Sequence, residues 1–367
     1  MILLIVLVYT SFALAAQIST FSQCDCGYSD PATLATWSEM WHMNFEKNDG
    51  STAAMQQQQL YSYKELFFSS YIIEAKFNDS YPRVFRKENV RIHDESLEVR
   101  VTVDPTKSKP VERIQCGGVG TNRLNFMYGS FRSYMRATKV NGTVAGMFLY
   151  NTQGEIDIEL LSAVQPSQAY FAMHPGLIEN GKASSLTHGN VQLGFDPADD
   201  FHEYRFDWFP NLTVFYVDGM ESYRMTTNVL NLPSRVMFNH WTDGNANFSQ
   251  GPAKEDASIN IKNMTFFFNS SDINSVPTCL NSRAACDIQK ITRALQNGSE
   301  QASTSSTGNN NGSDEDALFN PFERTKASLT SGTTMIGQQD LLYSYCIYTL
   351  LFASIWLVFT PYTLIFT

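Results

Sequence analysis

From about Cys24 to Asn269 the apolar residues of this chain recur at every second position, and that period limits what the segment can fold into. Side chains alternate across a strand, so a period of two marks a strand with one face turned to a core. Such stretches are Tyr71–Phe77, Leu97–Val103, Asn125–Arg136, Val144–Tyr150, Phe201–Trp208, Leu212–Val217, Arg235–Trp241 and Ala257–Phe268. Asp218-Gly219 separates two of these runs and has the composition of a two-residue hairpin turn. Helical periodicity is clear only in Asp287–Gln296, and no repeat of fixed length occurs. Many antiparallel strands in one block of this size predict an all-β fold, an antiparallel β-sandwich of two sheets. A curved sandwich offers a concave face along which an extended polymer can lie.

Both ends depart from this pattern. The run MILLIVLVYTSFALAA carries no charge, is short for a membrane span and ends in small residues, with Ala13 and Ala15 at the −3 and −1 positions of a cut. Residues 1–15 are therefore expected to be a secretory signal peptide. Residues 341–367 are also free of charge, and no basic residue follows them. Residues 335–367 read as a glycosylphosphatidylinositol attachment signal, with Ser331-Gly332-Thr333 or Ser328 as the attachment point and a single-pass tail as the competing reading. Residues 297–334 are rich in Ser, Thr, Asn and Gly and predict a glycosylated stalk. Asn-x-Ser/Thr sequons at Asn78, Asn141, Asn211, Asn247, Asn263, Asn269, Asn297 and Asn311 suit a secreted glycoprotein. These signals predict a cell-surface protein held by a lipid anchor or passed to a wall outside the membrane.

Among six Cys, Cys279 and Cys286 flank a short loop that a bridge could close. Cys24 and Cys26 are too near in sequence for an easy mutual bridge, so one of them is expected to reach Cys116. The spacings form no zinc or redox motif. Lys and Arg total 26 against 36 Asp and Glu, a net charge of −10 that argues against nucleic acid as a partner. The aromatic share of 13% suits a protein that stacks on sugars.

The stretch Gly154-Glu-Ile-Asp-Ile-Glu-Leu-Leu161 is chemically the most specific. In a strand, Glu155, Asp157 and Glu159 share one face, and Ile156, Ile158 and Leu160 the other. Like charges placed so close disfavour one another. The Glu155 and Glu159 Cα atoms would lie roughly 13 Å apart. Side chains leaning inward could bring the carboxyl groups to about 5–6 Å, near the ~5–5.5 Å separation that retaining glycoside cleavage uses. One carboxylate must then be ionised to attack and another protonated to donate, and a coupled acidic row separates proton affinities in that way.

These residues, with FMYGSFRSYMRATKVNGTVAGMFLY before them and FHEYRFDWFPNLTVFYVDG and VMFNHW after them, resemble glycoside hydrolase family 16 over roughly residues 24–270. The resemblance implies a concanavalin A-like jelly roll with a concave substrate cleft, a catalytic domain over 24–275, and a Cys-flanked loop and helix over 276–296. It implies Glu155 as nucleophile, Asp157 as assisting acid and Glu159 as general acid/base. Asn239 and Trp241 match the sugar-contacting pair of the family, with a core role the alternative for Trp241. Tyr128, Phe148 and Tyr150 fall where cleft aromatics occur, with core packing the alternative for each. His174 departs from the lichenase pattern and is expected to line the cleft, and Gln153 stands where lichenases carry a Trp. The uninterrupted acidic motif is similar to that of lichenases and transglycosylases, and the two termini resemble those of fungal wall-remodelling members. The implied activity is a retaining, endo-acting glycosidase or transglycosylase on β-glucan, with chitin as a further substrate, working as a monomer without cofactor or metal. His202 and Trp208 are expected to be structural. The rival expectations are a sugar-binding module that has lost catalysis and a structural wall glycoprotein or adhesin.

Overall fold

A computed structural model describes residues 24, 26–46, 52–103, 113–272 and 285–296. The expected signal peptide, stalk and lipid-attachment signal lie outside the described residues. Among the described residues, no helix is long and apolar enough to cross a membrane.

Two large, almost wholly antiparallel sheets form an all-β sandwich. One has eight strands. Its main path runs Met220–Met225, Leu212–Val217, His202–Phe209, Phe126–Arg136, Ala257–Ser270, Ser96–Val101 and Val90–His93, and Glu39–Asn44 pairs with Ala257–Ser270. The other has nine. Its path runs His188–Gln192, Gln168–His174, Gly154–Leu161, Val144–Asn151, Arg235–Trp241, Ile114–Thr121, Arg83–Phe85 and Ile72–Ile73, and Leu66–Phe68 pairs with Ile114–Thr121. The core lies between the sheets. Ile156, Ile158, Leu149, Phe171 and Phe238 reach it from the nine-stranded sheet and Phe131, Phe206, Phe215 and Phe266 from the other, all within a few per cent of full burial. Phe171 stacks on Phe215 across the gap with centroids 4.7 Å apart, joining the two layers.

Most predicted strands occur within a residue or two of their expected limits. The run Tyr71–Phe77 yields only Ile72–Ile73. The strand Ile114–Thr121 lacked a legible signal because Gly117, Gly118 and Gly120 break the alternation. The helix Ala53–Ser62, capped by the Thr52 side chain on the Met55 amide, was also not expected, since its four Gln residues blur the apolar stripe. The Asp218-Gly219 turn has φ of +49° and +74° at its two residues, the positive values that a tight right-twisted hairpin requires.

The disulfide expectations need correction. Cys286 is bridged to Cys24 rather than to Cys279. Cys116 is a free thiol buried in the nine-stranded sheet, not bridged to either N-terminal cysteine. Cys26 is disulfide-bonded as well. The cause is topological. Tyr28–Asp30 pairs in parallel with Cys286–Asp287 in a small sheet, which places the two ends of the folded unit side by side.

Candidate active site

The register of the nine-stranded sheet assembles the site row by row, since directly opposed residues share a face. Gly154–Leu161 is its third strand from one edge. Glu155 is opposite Tyr150 and His174, and Tyr150 is opposite Arg235. Asp157 is opposite Phe148 and Ala172, and these are opposite Met237 and His188. Glu159 is opposite Gly146 and Tyr170, and Gly146 is opposite Asn239. Three neighbouring rows thus bring Glu155, Asp157, Glu159, Phe148, Tyr150, His174 and Asn239 onto the outer face of one sheet. Their apolar neighbours Ile156 and Ile158 turn into the sandwich and are wholly excluded from solvent. The three acids keep 3%, 6% and 8% exposure, so this face is narrow but reaches water.

Local glycine chemistry shapes the middle of the site. A Cβ on Gly146 would lie 2.5 Å from Asn239 Oδ1, so only the bare backbone lets that amide lean toward the acidic strand. Asn239 Oδ1 is itself buried and has no hydrogen-bond partner within the protein. Asp157 Oδ2 and His174 Nε2 are likewise without hydrogen-bonded partners and lie 3.6 Å apart. One oxygen each of Glu155 and Asp157 and one ring nitrogen of His174 all fall within 4.8 Å of one another.

Electrostatics follow from this crowding in a poorly hydrated place. Burial, then the charge of Glu159, pushes Glu155 up to about 8. Asp157 is held well above the usual carboxylate range, first by burial and then by the charges of Glu155 and Glu159. Burial, aided by His188, pulls His174 down to about 3, so its imidazole is neutral in ordinary solution. Glu155 and Asp157 therefore hold protons at neutral pH, and the charge of each acid raises the proton affinity of its neighbours. A set of this kind supplies both the acid and the base that cleavage of an acetal bond requires.

Of the expected contacts, Tyr128 is placed elsewhere and Trp241 stands on the acidic face but is largely covered. Tyr128 belongs to the eight-stranded sheet, at a bulge between Met127 and Gly129 with φ +63°, and its ring packs on Trp208 at 4.9 Å. It is not brought to the acidic rows. Trp241 lies on the outer face, but Arg83 covers its ring at 4.2 Å, Phe248 lies 5.9 Å away, and 7% of the residue is exposed. It packs within an apolar cluster with Phe85 and Cys116 instead of offering an open platform. His202 is structural, as expected, but it pairs with the Asp218 carboxylate at 2.7 Å and stacks on Phe195. Trp208 donates its indole N–H to Leu230 O at 2.6 Å. Sequence reasoning missed His188, Tyr170 and Arg235. All three share rows with the acids, and the alternation of His188–Gln192 and Gln168–His174 was the signal that could have found the first two.

Comparison with known proteins places this geometry in a family. A xylanase/β-glucanase of Ruminococcus flavefaciens is 34% identical over 164 residues, 42% of this chain and 20% of that protein. A β-glucanase of Acetivibrio thermocellus is 37% identical over 122 residues, 32% of this chain and 34% of that protein. A β-glucanase of Paenibacillus polymyxa is 31% identical over 164 residues, 43% of this chain and 63% of that protein. The chain thus spans less than two thirds of the length of each of these relatives. A lichenase crystal structure from a mouse hindgut metagenome is 21% identical, with 62% of this chain and 98% of that chain covered at a TM-score of 0.49. The sequence profile of the glycosyl hydrolases family 16 matches residues 77–261, which contain every row of the acidic site, and the chain belongs to that family.

Proposed function

We propose that this protein is a retaining, endo-acting glycosidase of β-glucan. The observation that carries the reading is the strand Gly154–Leu161, which sends three carboxyl groups to one face while its apolar residues fix it in the core. The β-glucanase relatives support the choice of substrate. In the proposed reaction Glu159 protonates the leaving oxygen and Glu155 attacks the anomeric carbon to form a glycosyl ester. Glu159 then removes a proton from the incoming hydroxyl as the ester is cleaved. Asp157 holds a proton between the two. Asn239 binds a sugar hydroxyl beside the cleaved bond, and Tyr150 and Phe148 line the same face.

A sugar hydroxyl can replace water as the acceptor, which turns hydrolysis into transfer. Chitin oligomers as acceptors and a role in organising a cell wall are supported by the resemblance of the uninterrupted acidic motif and of the two termini to wall-remodelling members. The deciding experiment incubates the purified protein with β-glucans, chitin oligomers and mixtures of them. Reducing ends, the anomer first released and any labelled hybrid product are followed. New reducing ends with the β-anomer first are expected. Release of the α-anomer would disprove the double displacement, and binding without cleavage would favour a lectin.

A further inference from the structure

The proposed reaction explains the three acids but not the buried imidazole beside the middle one. We propose that His174 is a positioning residue that acts through Asp157, its Nε2 accepting the proton of the Asp157 carboxyl so that this group stays neutral while Glu155 ionises. The inference rests on the glycosidase reading for its purpose and on geometry for its content.

His174 ends the strand Gln168–His174 and is opposite Glu155, one row from Asp157. It is 2% exposed, and its Nε2 has no hydrogen-bond partner in this structure; Asp157 Oδ2, equally unpartnered, lies 3.6 Å away, a gap that a small side-chain shift closes to hydrogen-bond distance. Two buried polar atoms this close, each unsatisfied, are costly unless they share a proton. The imidazole is fixed from behind. Its ring meets that of His188 edge to face at 5.7 Å. His188 Nδ1 contacts Thr187 Oγ1 at 3.0 Å, and that oxygen accepts from the Leu177 amide at 2.8 Å. Asn228 holds the next residue by donating to Pro175 O at 2.7 Å. The titratable and charged groups facing the pair are Glu155 and Glu159 on the acidic strand, His188 on the far side, and Tyr150 and Arg235 along the Glu155 row.

The consequence is a charge effect with a definite sign. A hydrogen bond to the neutral form of an acid raises its proton affinity. With the acceptor removed and water admitted, Asp157 ionises more readily. Its charge then makes Glu155 keep its own proton to higher pH. His174→Ala should therefore move the acidic limb of the kcat profile upward by about one pH unit. His174→Gln, whose Oε1 can still accept, should leave that limb in place. Circular dichroism and thermal unfolding of each full-length variant establish that it is folded. A fall in kcat that is equal at all pH values, or an unmoved limb, overturns the proposal.

A second measurement does not depend on catalysis. In the labelled wild-type protein the His174 ring ¹⁵N resonances should show Nε2 as an unprotonated acceptor, and Asp157→Leu should shift that resonance. An Nε2 that carries its own proton, or a resonance unmoved by Asp157→Leu, overturns the pairing. If the wild type cleaves no β-glucan, the glycosidase reading fails while the resonance still decides the role of His174.

Discussion

Glu155 occupies the most enclosed position of the acidic row, and its roles in chemistry and in stability pull against each other. In the proposed reaction it is the attacking carboxylate and has no substitute within the row. Glu155→Gln should reduce β-glucan turnover by at least about a thousandfold, the scale expected for losing a covalent nucleophile, with the circular dichroism spectrum unchanged. Steady-state assays at saturating substrate would check this. Gly146 is the second residue where one atom decides an outcome. A methyl group there would displace Asn239 Oδ1, 2.5 Å from the Cβ position, and push the amide away from Glu159. Gly146→Ala should raise KM and lower kcat/KM by about tenfold, the scale of one sugar hydrogen bond at about 1.4 kcal/mol. Little change in unfolding temperature is expected, because the clash is with a movable side chain. A variant with unchanged kcat/KM would show that Asn239 does not touch substrate.

Among the elements, the unit that joins the two ends of the fold is a clamp on the eight-stranded sheet, away from the acidic rows. The strand Tyr28–Asp30 and the helix Ile288–Gln296 dock on the eight-stranded sheet through Tyr28, Trp37, Phe267, Ile288 and Ile291. Beneath them Arg205 donates to Asp207, its Nε reaching Oδ1 at 2.8 Å, and to Asp30 at 3.3 Å, while its guanidinium lies over the Tyr216 ring at 4.3 Å. Gln289 donates to the same Asp30 at 3.3 Å. Removing one partner of a buried ion cluster leaves the others uncompensated, so Arg205→Met should cost about 3–5 kcal/mol in a denaturant titration. The Cys24–Cys286 bridge spans a sequence separation of 262 residues. Cys286→Ser should cost about 2–5 kcal/mol and leave kcat unchanged, because the clamp lies on the sheet opposite the acids. Loss of activity with retained stability would contradict that division of labour.

For the molecule as a whole, buried titratable groups set a pH optimum of stability. His42, His188 and His240 are lowered from 6.5 to about 4 and His174 to about 3, chiefly by burial. The unfolded chain binds more protons than the folded one below 6.5, so stability is lost as pH falls from there. Glu155 is raised from 4.5 to about 8, so between those values the folded chain holds the extra proton and stability declines as pH rises. Below 6.5 the four histidines outweigh the carboxyl groups; above it the carboxyl groups dominate, joined toward pH 9 by the buried Cys116 thiol, whose proton burial holds up to about 12. The unfolding temperature should therefore peak near pH 6.5, with the alkaline decline reduced in Glu155→Gln. Scanning calorimetry from pH 4 to 9 would test both slopes, and a decline as steep in the variant as in the wild type would refute the carboxyl assignment.

Alternation of residues was enough to place most strands, the Asp218-Gly219 turn and the shared face of Glu155, Asp157 and Glu159, because strand geometry depends on local sequence with a fixed period of two. The resemblance to glycoside hydrolase family 16, not the residue period, indicated Phe148, Tyr150 and Asn239 as companions of the acids. What local sequence could not express was which strands become neighbours. That choice put Tyr128 on the opposite sheet, set Arg83 over Trp241, joined Cys24 to Cys286 and left Cys116 alone. It also set His174 opposite Glu155 and 3.6 Å from Asp157. Pairing across a sheet depends on contacts between residues far apart in the chain, and only the packed sandwich selects among them.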